Sequence, residues 1–243
     1  MRKPLLLLTV TLVAWHYTVE ANDVGQEFII VNEDSCLINS TIREFFYKYH
    51  TDLRRRVALG QEYQGKKFQE QQMYGLIYDC KLERAARRKA IQTMGGTLYV
   101  PEGVVWIDFT GDYRENNLLA ALQIALDEQV KDEESSRKMT NPRSVTFGCF
   151  VSHGRVSPAP NSGEYYGSCV YYIVPPPKKG LWWRDQMRGK FPEPKGKPCC
   201  EGPQCDEIRK CTFFKNSKCF SQLCYVMIDG VQVRNLQYSV FVE

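Results

Sequence analysis

The placement of the cysteines most limits what this chain can fold into. The chain has 243 residues and ten cysteines, and an even cysteine count is typical of a disulfide framework in an oxidising compartment. Four cysteines are far apart and six crowd into a short segment: Cys36, Cys80, Cys149 and Cys169, then Cys199, Cys200, Cys205, Cys211, Cys219 and Cys224. The pattern predicts a large body with a few disulfides and a Cys-dense tail that has little core of its own.

The N-terminus predicts secretion. Arg2 and Lys3 precede a short apolar run over residues 4–14, and Val19-Glu20-Ala21 has the small residues of a signal peptidase site. We therefore expect a signal peptide over residues 1–21. The run is short of the ~20 residues that span a bilayer, and no later stretch is long and apolar enough to do so. These features predict a secreted, extracellular chain with no membrane span.

Two other features bear on that compartment. Asn39-Ser40-Thr41 is an Asn-x-Ser/Thr sequon just before a predicted helix, so Asn39 is a candidate glycosylation site.

A zinc site is the alternative for the tail cysteines, but their spacing lacks the Cys-x2-Cys pairs of zinc ribbons and fingers. We expect disulfides there, with no metal and no cofactor.

Charge and histidine content exclude some classes of function. The net charge of +4 does not by itself indicate nucleic-acid binding. The chain has three histidines, His16, His50 and His153, and the first lies in the predicted signal peptide. Little material therefore remains for a multi-histidine metal site or a histidine general base.

Hydrophobic spacing predicts helices first and strands later. A helix is expected over residues 41–59, with a capping box at Thr41-Ile42-Arg43-Glu44 and an end at Gly60. The run Arg54-Arg55-Arg56 has two interpretations, a phosphate-binding run or, as we favour, a solvated helix face. Further helices are expected over 69–76, over 80–94 with Asp79 as cap and Gly95-Gly96 as its end, and after Asn116 or Asn117. Strands are expected over 104–109, 145–151 and 168–174, and Asp229-Gly230 predicts a hairpin of 225–228 with 231–234.

The body is expected to end near residue 177, after Pro175-Pro176-Pro177. Residues 178–224 contain 11 Lys or Arg and 5 Asp or Glu, a net charge of +6. Seven of these cations precede the dense cysteine cluster: Lys178, Lys179, Arg184, Arg188, Lys190, Lys195 and Lys197. This basic tail is either a solvated appendage or a surface for an anionic partner.

Four features in order resemble the CAP superfamily of cysteine-rich secretory, antigen 5 and pathogenesis-related proteins. They are the first helix with Phe45, Phe46, His50, Leu53 and Arg54; Met73 to Glu83 with Tyr78-Asp79-Cys80; Glu115-Asn116; and Phe147-Gly148-Cys149 with Ser168-Cys169-Val170-Tyr171. The second stretch is most similar to activation-associated, or venom-allergen-like, secreted proteins of parasitic nematodes. The resemblance covers roughly residues 36–177.

The resemblance implies an α+β fold, a three-layer α-β-α sandwich over residues 22–177, followed by a Cys-rich, hinge-like tail over 178–243. It implies a bridge between Cys149 and Cys169. Cys36 and Cys80 are then the remaining body pair, although a tail cysteine could reach either.

The family's cleft of two His and two Glu is incomplete here. The matching carboxylates are Glu115 and Glu128, whereas no histidine lies between His50 and Glu115 and none lies in residues 131–147. Two carboxylates could still serve a glycosidase or bind a hard cation. We expect instead that Glu115 caps backbone amides and that Glu128 is a surface residue.

We therefore expect a non-enzymatic, secreted interaction protein. The resemblance implies a host-directed role, such as modulation of immune or haemostatic receptors, with a host cell-surface protein or an anionic glycan as partner. The alternatives are a lipid or sterol carrier, in which Val104-Val105-Trp106-Ile107 would line a groove instead of forming a core strand, and a carboxylate-based hydrolase. No nucleic-acid partner is expected.

Overall fold

The structure is a computed structural model that describes residues 29–92, 103–114, 117–155, 162–173, 196–203, 205–214 and 217–226. Its elements in chain order are β1 (Ile30–Val31), α1 (Ser40–Ala58), β2 (Ile77–Asp79), α2 (Cys80–Gln92), β3 (Val104–Arg114), α3 (Leu118–Lys131), α4 (Glu133–Met139), β4 (Ser144–Arg155), β5 (Ser162–Ile173), β6 (Ser217–Phe220) and β7 (Leu223–Val226). This mixture of helices and strands confirms the predicted α+β class. No helix among the described residues is long and apolar enough to cross a membrane.

A five-stranded sheet in the order β1-β2-β4-β5-β3 forms the middle layer. The first three strands of that order are parallel, and β4, β5 and β3 pair antiparallel. The three predicted strands are present, and each is longer than expected. The strand β2 was not predicted because three buried residues are too short to show a period-2 pattern.

Helices cover both faces of the sheet, which confirms the three-layer sandwich. On one face α1 and α3 contribute Phe46, Leu53, Leu122 and Leu126 to the core that also contains Phe147. On the other face, Leu82 and Ala86 of α2 pack against Val170 of β5. Gly148 permits this approach, because a Cβ there would lie 2.6 Å from the carbonyl oxygen of Asp79.

The ends of α1 show one wrong prediction and one correct one. The cap is Asn39, whose Oδ1 accepts from the Ile42 amide at 2.9 Å, so the capping box predicted at Thr41 is wrong. Glu44 instead forms an ion pair with Lys48. At the other end Gly60 has φ +66°, and the Gln61 amide donates to the Arg56 carbonyl, which is a Schellman ending.

The predicted caps of the next helices are present. Asp79 Oδ1 accepts from the Lys81 amide at 2.9 Å, and Asn117 Oδ1 accepts from the Ala120 amide at 3.2 Å. The expected end of α2 at Gly95-Gly96 lies outside the described residues. The short helix α4 was not predicted; Asp132 caps it by accepting from the Ser135 amide at 2.8 Å.

The helix expected over residues 69–76 is wrong, because this segment is extended and bound to the tail. The Gly75 amide donates to the Cys224 carbonyl at 2.8 Å, and the Cys224 amide donates to the Met73 carbonyl at 2.9 Å. The hydroxyl of the buried Tyr74 accepts from the amides of Phe213 and Phe214. The hydrogen-bond partners of this segment are therefore distant in sequence, and the local spacing of apolar residues does not reveal them.

The described part of the tail contributes to the core of the body. Strands β6 and β7 form a hairpin through Ser221 and Gln222, both at positive φ. Leu223 and Tyr225 of β7 are buried in the same cluster as α1 and α3. The hairpin expected around Asp229-Gly230 lies outside the described residues, as do the predicted signal peptide and Pro175-Pro176-Pro177.

All ten cysteines are paired. Cys149 bonds to Cys169 and Cys36 to Cys80, while the tail pairs are Cys199–Cys219, Cys200–Cys205 and Cys211–Cys224. Cys149 and Cys169 are directly opposite each other in the β4–β5 register. The three tail bridges close loops within the segment that packs on Tyr74.

Arg54 corrects the prediction that the three arginines of α1 form a solvated face. Arg54 is fully buried, and its guanidinium donates to the carbonyl oxygens of Tyr74, Met139, Asn141 and Ser144. Burial lowers the pKa of this guanidinium to about 9.

Candidate functional site

The cleft carboxylates of the resemblance provide one candidate that can be located. Glu128 lies on α3, its side chain is 60% exposed, and its Oε1 is 2.6 Å from Lys131 Nζ. The expectation that Glu128 is a surface residue fits this position. Glu115 lies outside the described residues.

Asp127, next to Glu128, is the carboxylate that faces the protein. Tyr49 Oη of α1 and Tyr63 Oη each donate to Asp127 Oδ1, at 2.9 and 2.8 Å. Gln123, one turn earlier on α3, donates through Nε2 to both carboxylate oxygens at 3.2 and 3.3 Å. Together they hold the segment after α1 against α3.

The electrostatics of this cluster favour a structural role. Burial, with the neighbouring Tyr63 and Asp127, raises the pKa of Tyr49 far above its ordinary value, so its phenol keeps its proton. Burial and Asp127 also raise the pKa of Tyr63, and the Arg56 guanidinium carbon lies 5.1 Å from its ring centre. Sequence reasoning missed Asp127; its spacing of four from Gln123 on a helix was the available signal.

Both ring nitrogens of His50 form hydrogen bonds within the protein. Nδ1 lies 2.7 Å from the Phe46 carbonyl, which can only accept, so Nδ1 carries the proton. Nε2 then accepts from Tyr171 Oη, also at 2.7 Å. Burial lowers the pKa of His50 to about 4, which keeps the imidazole neutral and removes it from acid–base chemistry near neutral pH.

His153 lies at the far end of the sheet, in β4. It is exposed, and its ring meets that of Tyr113 at 6.2 Å in an edge-to-face arrangement. Tyr113 lies over Gly163, its register partner in β5. An exposed imidazole whose described contact is an aromatic ring fits a surface histidine.

Two buried carboxylates, Glu83 and the helix cap Asp79, hold the N-terminal segment. Glu83 accepts from the amides of Leu37 and Ile38 and, at 2.8 Å, from the hydroxyl of Tyr78. Asp79 accepts from Asn32 Nδ2 at 2.8 Å, and burial raises the pKa of its carboxyl. Both groups bind other parts of the chain, so they act as anchors.

The described residues offer poor metal ligands. Each close group of His, Cys, Asp or Glu contains disulfide-bonded cysteines: His50 with Cys149 and Cys169, Cys199 with Cys211 and Cys224, and Cys36 and Cys80 with Glu83. A disulfide sulfur lacks the negative charge that makes a thiolate a metal ligand.

The other predicted sites lie on the surface or outside the described residues. Asn39 is exposed at the start of α1. Lys197 is exposed, and the remaining six cations of the basic tail are outside the described residues. Val104-Val105-Trp106-Ile107 begins the edge strand β3: Ile107 is buried in the main core, and the other three are half-buried. Trp106 packs against α2, where Lys89 Nζ lies 4.7 Å from its ring centre.

Solved structures similar to this chain come from secreted nematode proteins. A manganese-bound form of Ac-ASP-7 is 26% identical, covers 84% of this chain and 97% of its own, and has a TM-score of 0.58. A second structure of this Ancylostoma-secreted protein is 28% identical over 81% of this chain and 95% of that chain, with a TM-score of 0.54. Na-ASP-1 is 20% identical over 77% of this chain and 46% of its own, with a TM-score of 0.50.

No protein-family model matches the chain, and no curated protein matches it in sequence. The first of these structures contains manganese. The sequence has no histidine to complete a His and Glu cleft, and Glu128 is paired with Lys131.

Proposed function

This chain has the fold of the CAP superfamily, and we propose that it is a secreted, non-enzymatic protein that binds a host cell surface. The observation that carries the proposal is the state of the cleft carboxylate Glu128 and of the buried histidine His50. Glu128 is exposed and ion-paired, and His50 is buried with both nitrogens occupied. A hydrolase needs a general acid or base beside its substrate, whereas Glu128 is ion-paired at the surface and His50 is enclosed in the core.

The basic tail is the proposed contact surface, and it acts through its cations. Residues 178–224 carry a net charge of +6, from 11 basic and 5 acidic residues. The described end of this segment is anchored by three disulfides and by the burial of Leu223 and Tyr225.

The host-directed role is supported by likeness to Ancylostoma-secreted proteins and by the predicted signal peptide at residues 1–21. An anionic glycan and a receptor protein are the two partner classes that suit the charge. The lipid-carrier alternative is weaker, since Val104-Val105-Trp106-Ile107 forms a strand whose side chains pack against the chain's own hydrophobic clusters. The hydrolase alternative would need an activity that the Glu115→Gln variant loses.

Cell binding tests the proposal. Fluorescently labelled, secreted chain is added to leukocytes and platelets, and bound fluorescence is measured before and after two treatments of the cells. We expect saturable binding that heparinase abolishes if the partner is an anionic glycan, or that trypsin abolishes if it is a receptor protein. Absence of saturable binding to both cell types would contradict the host-directed role.

Metal analysis of protein purified without added metal should give no stoichiometric zinc.

A further inference from the structure

Among the described residues strand β3 forms one edge of the sheet, and this edge is suited to pair with another strand. This strand is 11 residues long and, within the described ranges, pairs only with β5. The opposite edge of the sheet is β1, which has only two residues. A long edge strand presents unpaired amide and carbonyl groups in a row, which makes it a template for strand addition.

One hydrogen bond determines which residues of β3 face outward. The Ile173 amide donates to the Gly103 carbonyl at 2.8 Å, and the register continues with Val104 opposite Tyr172. Antiparallel pairs alternate between hydrogen-bonded and non-hydrogen-bonded positions. The odd-numbered residues of β3 therefore bond to β5, and the even-numbered residues 104–114 direct their amides and carbonyls to the free edge.

The side chains of those even-numbered residues are self-complementary in charge. Asp108 and Arg114 lie six residues apart on the same face of the strand, and Thr110 and Asp112 lie between them. When two copies of β3 pair antiparallel around Gly111, Asp108 of each copy faces Arg114 of the other. A register that opposes Asp108 to Asp112 instead would place like charges together, which is destabilising.

Asp108 can accept such a partner. Its Oδ2 lies 3.6 Å from Lys89 Nζ, and its side chain is 35% exposed. Because Oδ1 is buried, a guanidinium from a second copy would approach Oδ2, the oxygen that lies near Lys89.

We propose that two copies of this chain associate through β3, antiparallel and two-fold symmetric around Gly111, so that the five-stranded sheets join. A two-fold axis gives each contact twice, so one Asp108–Arg114 pair becomes two. The surface differs from the basic tail, so the dimer does not depend on the proposed function.

Sedimentation equilibrium of the secreted, disulfide-bonded chain tests this proposal. We expect a reversible monomer–dimer equilibrium over a series of protein concentrations. Thr110→Pro removes an outward amide and leaves the bonds to β5 intact, so the variant should be monomeric with an unchanged circular dichroism spectrum. A monomeric wild type at every concentration, or a Thr110→Pro dimer as tight as wild type, would overturn the proposal.

Charge reversal tests the register. Asp108→Arg and Arg114→Asp should each weaken self-association about tenfold, because each replaces two attractive pairs with two repulsive ones. An equimolar mixture of the two variants should recover wild-type association. In the mixed dimer the two substituted side chains face each other with opposite charges, and so do the two side chains left unchanged.

A control and a contradicting result complete the register test. Arg137→Asp, an exposed charge reversal on α4, is the matched control and should leave association unchanged. A mixture no tighter than the single variants would show that the register is wrong.

Discussion

The Nε of Arg54 donates to the carbonyl oxygen of Tyr74 at 2.6 Å, twenty positions away along the chain. The same guanidinium also donates to the carbonyl of Met139, the last residue of α4, at 2.9 Å. One side chain of α1 therefore connects the extended segment that binds the tail with the helix that precedes β4. The negative end of the α4 dipole stabilises this buried cation.

Replacing Arg54 should destabilise the fold strongly. Arg54→Met keeps much of the side-chain volume but leaves buried carbonyl oxygens without donors, at a cost of about 3 kcal/mol or more. Chemical unfolding with the disulfides intact would measure this loss. Arg56→Met is the matched control because Arg56 is exposed, and it should cost about 1 kcal/mol or less. Similar losses for the two variants would contradict the anchoring role of Arg54.

Stability should fall in mild acid because of His50. Its pKa is about 4 in the fold, against 6.5 for the unperturbed group, so between these values the unfolded chain binds more protons. The His50 contribution is full above pH 6.5 and is lost as pH falls toward 4, by about 3 kcal/mol in total. The free energy of unfolding of wild type minus that of His50→Gln should show this slope.

The other described histidine is the control for this titration. His153 is exposed on β4, so His153→Gln is the matched substitution of a histidine outside the core. The difference between variants cancels groups such as Asp79, whose raised pKa acts in the opposite direction. A wild-type slope retained in His50→Gln would show that His50 is not the titrating group.

The tail should be necessary for the stability of the body. Tyr225 is buried, and its ring lies against Gly75. Tyr225→Ala should cost about 3–5 kcal/mol through the lost burial and the cavity. Phe220→Ala in the same hairpin is the control, because Phe220 is 38% exposed, and it should cost about 1 kcal/mol or less. A chain truncated before residue 196 that unfolds at the same denaturant concentration as wild type would contradict this integration.

Asn39 should carry a glycan in protein secreted from eukaryotic cells. Thr41→Ala removes the sequon but keeps the Asn39 cap of α1, so it should abolish the glycan with little loss of stability. Asn39→Asp also removes the acceptor, and aspartate caps helices well. Intact mass before and after glycosidase treatment would measure occupancy. A wild-type mass unaffected by the enzyme would refute the assignment.

The main layers could be predicted from sequence because their signals are local. The spacing of Phe46, Leu53 and Val57 gives α1, and Asp79 and Asn117 are recognisable caps. The wrong helix over residues 69–76 and the missed roles of Arg54 and Asp127 have a common cause. Each depends on a partner far away in sequence: Cys224 for Gly75, Met139 for Arg54, and Tyr49 for Asp127.

The sequence could predict a property of the candidate site only where the number of residues of one type was sufficient to decide it. A shortage of histidine can be counted, and it already excluded a complete His and Glu cleft. Which carboxylate of the pair Asp127 and Glu128 faces inward depends on the rotation of α3 against α1. Helical spacing alone does not decide which of two adjacent residues faces the protein and which faces solvent.

The salt dependence of cell binding tests the central claim most directly. Two variants are compared with wild type at rising ionic strength. The first replaces the seven cations of the basic tail with glutamine: Lys178, Lys179, Arg184, Arg188, Lys190, Lys195 and Lys197. The second replaces seven exposed cations outside residues 178–224: Lys48, Lys67, Lys81, Arg87, Arg88, Lys131 and Arg137.

Both variants have the same net charge, so a difference between them reports position and not total charge. If the basic tail is the contact surface, wild-type binding should weaken as salt screens exposed charges over ~8–10 Å. The tail variant should lose binding, and the second variant should retain most of it. Equal loss in both variants, or wild-type binding by the tail variant, would contradict the account.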